Sequence, residues 1–202
     1  MRYIFSGALV VFFLGGFYFG TLLGKPSENP QEKMSLEKKS EMSNEQEVTM
    51  NITSRAFKEN ETIPVKYTCD GENSNPPLSF EGVPKNTKSL ALVVDDPDIP
   101  ESVKNDRGIE VFDHWVVFGI PPETTTLKEG AIPPGSEGQN SAGKSEYMGP
   151  CPPDGEHRYF FKLYALDVPV NLPPQATKED LEEMMAGHIL DKAELIGLYN
   201  RQ

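Results

Sequence analysis

Short apolar runs recur along most of the chain and are separated by proline-rich turns. Some, such as residues 90–94, are continuously apolar, which is typical of strands buried on both faces or in a sandwich core. Proline has no amide donor for a sheet, so connectors such as residues 133–134 are predicted to be loops or sheet edges. The pattern predicts strands at residues 48–53, 63–68, 78–80, 89–95, 112–120, 159–166 and 193–199.

One helix is predicted near the C-terminus. Thr177 and Asp180 have the spacing of a capping box, and Leu181, Met184 and Met185 are predicted to form one apolar face. Gly187 is a suitable stop. The body, residues 48–202, is therefore predicted to be mostly β with one or two late helices, and about 155 residues is an ordinary size for one core.

The N-terminal pattern differs from that of the body. Residues 3–24 carry no charge, and 22 residues at about 1.5 Å each span about 33 Å, enough for a membrane core of about 30 Å. The segment lacks a small-residue cleavage site, which favours an anchor over residues 1–24 rather than a cleaved signal peptide. The polar residues 25–47 predict a flexible stalk.

Flanking charges predict where the body lies. Arg2 precedes the apolar segment, and positive-inside reasoning then places residues 48–202 outside the cytoplasm. The prediction is a membrane-anchored external domain, or a secreted one if the segment is cleaved. The net charge of −12 argues against a nucleic-acid partner, which requires a basic face.

Two polar motifs lie at the edges of apolar strands. Asp95, Asp96 and Asp98 follow the run at 90–94 and can line the mouth of a β structure, although an ordinary surface turn is the alternative. His114 lies inside the apolar run 112–120. There a hydrogen-bonded core histidine is the alternative to a functional one.

Strict strand alternation predicts the face on which His114 lies. It would share that face with Phe112, Val116 and Phe118, and the opposite face would carry Asp113, Trp115 and Val117.

A third polar group follows a loop rich in proline and glycine at residues 149–155. Such a loop holds exposed backbone N–H groups at little entropic cost. In an extended chain His157 and Tyr159 point to one side and Arg158 to the other, where we expect it to pair with an aspartate of the turn after Val94. Imidazole, phenol and free N–H groups are better suited to binding an anion than to cleaving a bond.

The usual catalytic and metal motifs are absent from the sequence. It contains no His-x-x-x-His, Cys-x-x-Cys or His-Glu-x-x-His spacing, no Gly-x-Ser-x-Gly elbow and no Walker loop. Cys151 and His157 form a formal nucleophile pair, but a cysteine between two prolines lacks the helix N-terminus that often lowers a thiol pKa. We therefore predict no catalytic residue, no metal and no cofactor.

Several separated motifs together resemble one known family. Over residues 48–202 the chain is similar to phosphatidylethanolamine-binding proteins, most closely to their bacterial and archaeal Raf-kinase-inhibitor-like branch. The resemblance implies a Greek-key fold of two antiparallel sheets with one or two short C-terminal helices. It is carried by YTCDGEN at 67–73, PPLSF at 76–80, DPD at 96–98, DHW at 113–115 and GPCPPDGEHRY at 149–159.

The resemblance also implies a small surface pocket for a phosphorylated or carboxylate ligand, lipid head groups included. Asp96 would form its floor and keep the imidazoles of His114 and His157 protonated, with Pro152 at the rim and Asp98 as support. Phe112 replaces a tryptophan of many relatives, and Cys151 replaces a glycine of animal members and would narrow the rim. The implied ligand-binding residues are Asp96, Asp98, Phe112, His114, Cys151, Pro152, His157 and Tyr159.

The chain has two cysteines, Cys69 and Cys151, both in motifs that the family places toward the ligand. An external body would favour a disulfide between them, whereas two free thiols are the alternative for a cytoplasmic one. The leading functional prediction is a membrane-tethered, non-enzymatic domain that binds a small anion. The alternatives are a protein-binding regulator, such as a protease or signalling inhibitor, and an enzyme that uses His and Asp as acid and base.

Overall fold

A computed structural model gives the architecture and describes Gln31 and residues 49–201. The chain divides into two units, Met1–Gln46 and Glu47–Gln202, and the elements below belong to the second. The predicted anchor and stalk lie outside the described residues, Gln31 excepted. The division into anchor, stalk and body therefore stays a prediction.

The described part of the second unit contains nine strands and two α-helices, so the body is mostly β. In chain order the elements are β1 (Asn51–Ser54), β2 (Glu61–Thr62), β3 (Leu78–Glu81), β4 (Ser89–Asp96), α1 (Glu101–Arg107), β5 (Phe112–Ile120), β6 (Thr126–Leu127), β7 (Ser136–Gly138), β8 (Glu156–Leu166), α2 (Lys178–Met185) and β9 (Ile189–Asn200).

These strands form two sheets, which confirms the expected fold class. A three-stranded sheet has the order β1-β3-β6, and a six-stranded sheet has the order β2-β9-β8-β4-β5-β7. The pairings among these strands are antiparallel, apart from the short parallel contact of β2 with β9. Only α2 lies near the C-terminus, because α1 connects β4 to β5.

Both faces of the six-stranded sheet are covered, which explains the continuous apolar run in β4. On one face Trp115 and Phe161 belong to the same core cluster as Phe80 of the smaller sheet. On the other face Leu181 and Met185 of α2 pack over the sheet, whereas Met184, predicted to share their apolar face, is exposed. Helix α2 begins at the predicted capping box of Thr177 and Asp180.

The predicted strand at 63–68 is wrong. The amide of Ile63 still donates to the carbonyl of Leu198 at 2.7 Å, but Pro64 has no amide hydrogen to continue the ladder. A 3-10 turn at Val65–Tyr67 follows instead. Helix α1 and the short strands β2, β6 and β7 were not predicted, because their sequences show no clear apolar period.

The membrane-anchored external localisation also requires correction. In the part of the chain that the structure describes, no helix is long and apolar enough to cross a membrane. The two helices given above have seven and eight residues, whereas a spanning helix needs about 20.

Candidate functional site

A β-bulge interrupts the pairing of the two central strands. Val94 of β4 pairs with Trp115 of β5, whereas the next residue, Asp95, pairs with Asp113. His114 is therefore the extra residue in β5. A bulge of this kind turns side chains away from regular alternation and bends the strand.

The bulge decides which face carries His114. Its ring lies 5.1 Å from the ring of Tyr159, which belongs to the same core cluster as Trp115. Val116 and Phe118 belong instead to the cluster under α2. The prediction that His114 shares a face with Val116 and Phe118 is wrong, because strict alternation takes no account of an inserted residue. Phe112 does lie beside His114, as predicted.

Strand β8 supplies the second half of the site with regular alternation. His157 and Tyr159 are buried, while Arg158 is exposed on the other side, as predicted. The carboxylate of Asp98 accepts from the Arg158 backbone amide at 3.0 Å, from Nε at 2.8 Å and from Nη2 at 2.6 Å. These bonds hold the pKa of Asp98 below its usual value and tie the turn after β4 to β8.

These strand ends surround a cavity of about 270 Å³. Its wall combines apolar side chains with a few polar groups, which is typical of small-molecule sites. The lining residues are Asp96, Ile99, Pro100, Val103, Arg107, Phe112, His114, Ala142, Met148, Cys151, Pro153 and Tyr159.

The cavity brings together most of the predicted ligand-binding residues. Five of them line it, namely Asp96, Phe112, His114, Cys151 and Tyr159. Three of them do not line it. Asp98 is paired with Arg158, and His157 is hydrogen-bonded to Asp96. Pro152 is buried, and its neighbour Pro153 lines the cavity instead. Their ligand-binding roles stay predictions.

Burial favours the neutral imidazole at His114, which is 4% exposed. Its Nδ1 lies 2.7 Å from the carbonyl oxygen of Met148 and therefore carries the hydrogen, since a carbonyl only accepts. Burial lowers the pKa of His114, against the opposing effects of this hydrogen bond and of the Asp96 charge. Burial thus opposes the implied protonated state of His114.

The lowered pKa of His114 predicts a loss of stability in mild acid. The unfolded chain takes up a proton near pH 6.5, while the folded chain resists it, so the free energy of unfolding falls as the pH drops below about 6.5. Above that pH the contribution is fully present. We expect His114→Gln to flatten this slope in urea titrations between about pH 7 and pH 5. The His188→Gln variant, at a half-buried histidine outside the cavity wall, is the control, and a slope unchanged by His114→Gln would refute the assignment.

Asp96 is held in place by two donors. His157 Nδ1 lies 2.7 Å from its Oδ2, and both side chains are buried. The amide of Asp98 donates to Oδ1 at 2.8 Å. These bonds satisfy a carboxylate that would be costly to bury alone. Among the described residues, no three His, Cys, Asp or Glu side chains are grouped to hold a metal ion.

The hydroxyl of Tyr159 is buried and makes no hydrogen bond of normal geometry with the described residues, although the Asp96 carboxylate and the Cys151 backbone are close enough to influence it. Burial, followed by the nearby charge of Asp96, raises the pKa of Tyr159, so the hydroxyl stays protonated and remains a donor. An unpaired buried polar group destabilises a protein by roughly 1–3 kcal/mol. An acceptor bound in the cavity would relieve that penalty.

The rim of the cavity is closed by a disulfide between Cys69 and Cys151, which confirms the predicted pairing. The amide of Cys69 also donates to the carbonyl of Pro150 at 3.1 Å. The thiol considered as a nucleophile beside His157 is therefore already bonded to the other cysteine.

Helix α1 forms a wall of the cavity that the apolar pattern did not predict. Val103 and Arg107 of α1 both line the cavity. The helix follows Pro100, has Glu101 in its first turn and ends at Gly108, whose φ of 68° is left-handed. These are ordinary helix boundary signals, so the caps, rather than periodicity, could have identified α1.

A buried ion network lies on the other face of the same strands. It contains Asp95 and Asp113, which directly precede Asp96 and His114 of the cavity wall. Lys178 Nζ lies 3.1 Å from Asp113 Oδ1 and 3.4 Å from Asp95 Oδ2, and Lys162 Nζ lies 2.7 Å from Asp95 Oδ2. The network thus anchors the start of α2 behind the cavity.

Comparisons by sequence and by structure relate this chain to the same group of known proteins. Residues 53–200 match the family model of phosphatidylethanolamine-binding proteins. A UPF0098 protein of Methanothermobacter thermautotrophicus is 52% identical over 158 residues, which are 75% of this chain and 99% of that protein. A UPF0098 protein of Chlamydia trachomatis is 47% identical over 152 residues, again covering 75% and 99%.

Two solved structures share the fold. A phosphatidylethanolamine-binding protein homologue from Chlamydia trachomatis is 46% identical with a TM-score of 0.73, and the match covers 77% of this chain and 99% of that one. YbcL of Escherichia coli, described as a member of the mammalian phosphatidylethanolamine-binding protein family, is 29% identical with a TM-score of 0.68. That match covers 76% of this chain and 99% of YbcL. The chain therefore belongs to the phosphatidylethanolamine-binding protein family and carries its binding domain.

Proposed function

We propose that the cavity binds a small anionic ligand, namely a phosphate, a phosphoryl head group or a carboxylate, and does so without chemical turnover. The observation that carries the proposal is the Tyr159 hydroxyl, a buried donor in the cavity wall that makes no hydrogen bond of normal geometry with the described residues. An anionic oxygen is the strongest acceptor that such a donor can meet.

The size of the cavity limits the ligand. About 270 Å³ is below the roughly 300–1,000 Å³ typical of drug-sized ligands, so we propose that a head group enters rather than a whole lipid.

His114 contributes to this proposal through proton uptake. Its Nδ1 hydrogen is committed to Met148, which leaves Nε2 as the atom that can gain a proton. An anion beside the ring favours the charged form. Binding is then expected to take up a proton and to strengthen as the pH falls toward the range in which histidine titrates.

The absence of turnover is part of the proposal. The formal nucleophile, Cys151, is bonded to Cys69. The imidazole of His157 holds Asp96, and that of His114 is bonded to a carbonyl. In the described site, neither imidazole is hydrogen-bonded to a Ser, Thr or Cys side chain, which general-base activation of a nucleophile requires.

Tyr159→Phe tests the binding role. Loss of a hydrogen bond to a charged acceptor should weaken phosphate binding about tenfold, or ~1.4 kcal/mol. The free protein should not lose stability, because the substitution removes an unsatisfied buried hydroxyl. Calorimetric titration with inorganic phosphate and urea unfolding without phosphate measure the two effects.

Tyr164→Phe is the matched control. Tyr164 lies in the same strand, is half-buried, and packs on the α2 side of the sheet. Its phosphate affinity should equal that of the wild type. The proposal fails if the wild type binds no phosphate at millimolar concentration, or if Tyr159→Phe binds it as the wild type does.

A further inference from the structure

We infer that Arg107 of α1 supplies the fixed positive charge of the cavity and selects ligands whose anionic group can pair with a planar guanidinium, that is, phosphomonoesters and carboxylates. The inference rests on the proposed anion binding and adds a residue outside the motifs that identified the site.

The charges of the cavity wall point to Arg107. Among the described residues that line the cavity, it is the one with a permanent positive charge. Asp96 is a carboxylate, and burial favours the neutral form of His114. The chain as a whole carries a net charge of −12, which repels anions at long range. An anion entering this cavity therefore needs a local cation, and the imidazole of His114 does not provide one in advance.

Arg107 retains donors for a ligand. A guanidinium has five N–H donors, and Arg107 donates one hydrogen bond, from Nη1 to the carbonyl of Ser141 at 3.3 Å. It forms no ion pair with any carboxylate of the described residues. Arg158 and Arg201 differ, because they are paired with Asp98 and Asp70, respectively.

Three neighbouring rings lie between Arg107 and the unpaired hydroxyl of Tyr159. The guanidinium carbon lies 5.5 Å from the centre of the Phe112 ring, which is 4.9 Å from the centre of His114. The His114 ring is in turn 5.1 Å from that of Tyr159. Stacking on Phe112 holds the guanidinium at the cavity wall. Phe112 thus supports Arg107 at the cavity wall.

The same helix provides a matched control. Lys104 is one turn before Arg107, but its ammonium pairs with Glu101 at 3.4 Å and Glu110 at 3.8 Å, and it does not line the cavity. Lys104→Gln removes the same charge from the same helix. A general electrostatic effect would respond to both substitutions, whereas direct pairing responds only to Arg107.

The experiment titrates wild type, Arg107→Gln, Arg107→Lys and Lys104→Gln with inorganic phosphate and with phosphoethanolamine in a calorimeter. We expect Arg107→Gln to weaken both ligands about tenfold, Arg107→Lys to weaken them less, and Lys104→Gln to change affinity less than about twofold. Sedimentation with phosphatidylethanolamine vesicles, repeated with Arg107→Gln, separates a lipid source of the head group from a soluble one.

The possible failures are distinguishable. Equal losses for Arg107→Gln and Lys104→Gln, or no loss for Arg107→Gln, would overturn the role of Arg107 while phosphate binding by the wild type still stands. A wild type that binds neither ligand would overturn the proposed function itself. Because Arg107 is exposed, the variants should unfold at the wild-type urea concentration, which checks that the fold is intact.

Discussion

Lys178→Met is expected to lower the free energy of unfolding by about 3 kcal/mol near pH 7. Asp95 and Asp113 have side chains that are 1% and 11% exposed, and Lys178 lies within 3.4 Å of both. Burial opposes the charge on Lys178, but the two carboxylates outweigh it and raise the pKa of Lys178. Removing the ammonium would leave Asp95 paired with Lys162 alone and Asp113 with no counter-ion among the described residues, and an uncompensated buried charge is strongly destabilising.

The pH dependence identifies the cause of that loss. Burial raises the pKa of Asp113, and without Lys178 the pKa would rise further. A carboxyl whose folded pKa is raised gains stability relative to the unfolded chain as the pH falls through that pKa. The difference between Lys178→Met and wild type should therefore shrink toward about pH 4 in urea titrations.

The exposed Lys192→Met variant is the control for loss of a lysine charge and should change stability by less than about 0.5 kcal/mol. A loss below about 1 kcal/mol in Lys178→Met, or a loss independent of pH, would show that the network is not a buried charge cluster.

Removal of the disulfide should have the second large effect. The bond joins Cys69 and Cys151 across a sequence separation of 82, and the double Cys→Ser variant should lose about 2–4 kcal/mol of unfolding free energy. Most of that loss comes from the greater freedom of the unfolded chain. Urea unfolding of the variant and of the wild type with and without a reducing agent measures it.

The same substitution should also weaken phosphate binding, because Cys151 lines the cavity. The rim packs closely on the opposite loop: the amide of Gly149 donates to Asn73 at 2.8 Å, and a Cβ at Gly149 would lie 2.4 Å from the carbonyl oxygen of Tyr67. These contacts hold the rim without the disulfide, so the loss of affinity should be only a few-fold. A reducing agent should have no effect on the Cys→Ser variant. A reduced wild type that unfolds like the oxidised protein would contradict the prediction.

The strands and the late helix could be predicted because their signals are local. Strands β4 and β5 are continuous apolar runs covered on both faces, and α2 begins at a capping box. The strand expected at 63–68 failed at Pro64, whose missing amide outweighs an apolar pattern. Helix α1 has seven residues, too few for a clear apolar period, and only its boundaries mark it.

For the site, the sequence predicted which residues take part better than it predicted their orientation, protonation and hydrogen bonding. His157 and Tyr159 face the same side because β8 alternates regularly, and that follows from spacing. The face of His114 does not follow from spacing, because the bulge arises from the pairing of β4 with β5. The neutral form favoured at His114 and the unpaired hydroxyl of Tyr159 depend on burial, which no local pattern specifies.

The sequence by itself therefore determined the mostly β class, the family and the set of polar residues near the site, because apolar period, proline placement and motif order are properties of the chain. Only the tertiary structure decided that Cys69 meets Cys151 and that Arg107 lines the cavity wall. It also decided that Asp95 and Asp113 face α2 while Asp96 and His114 face the cavity. The reason is physical: contacts between distant segments and the burial they produce set which groups meet and which stay charged.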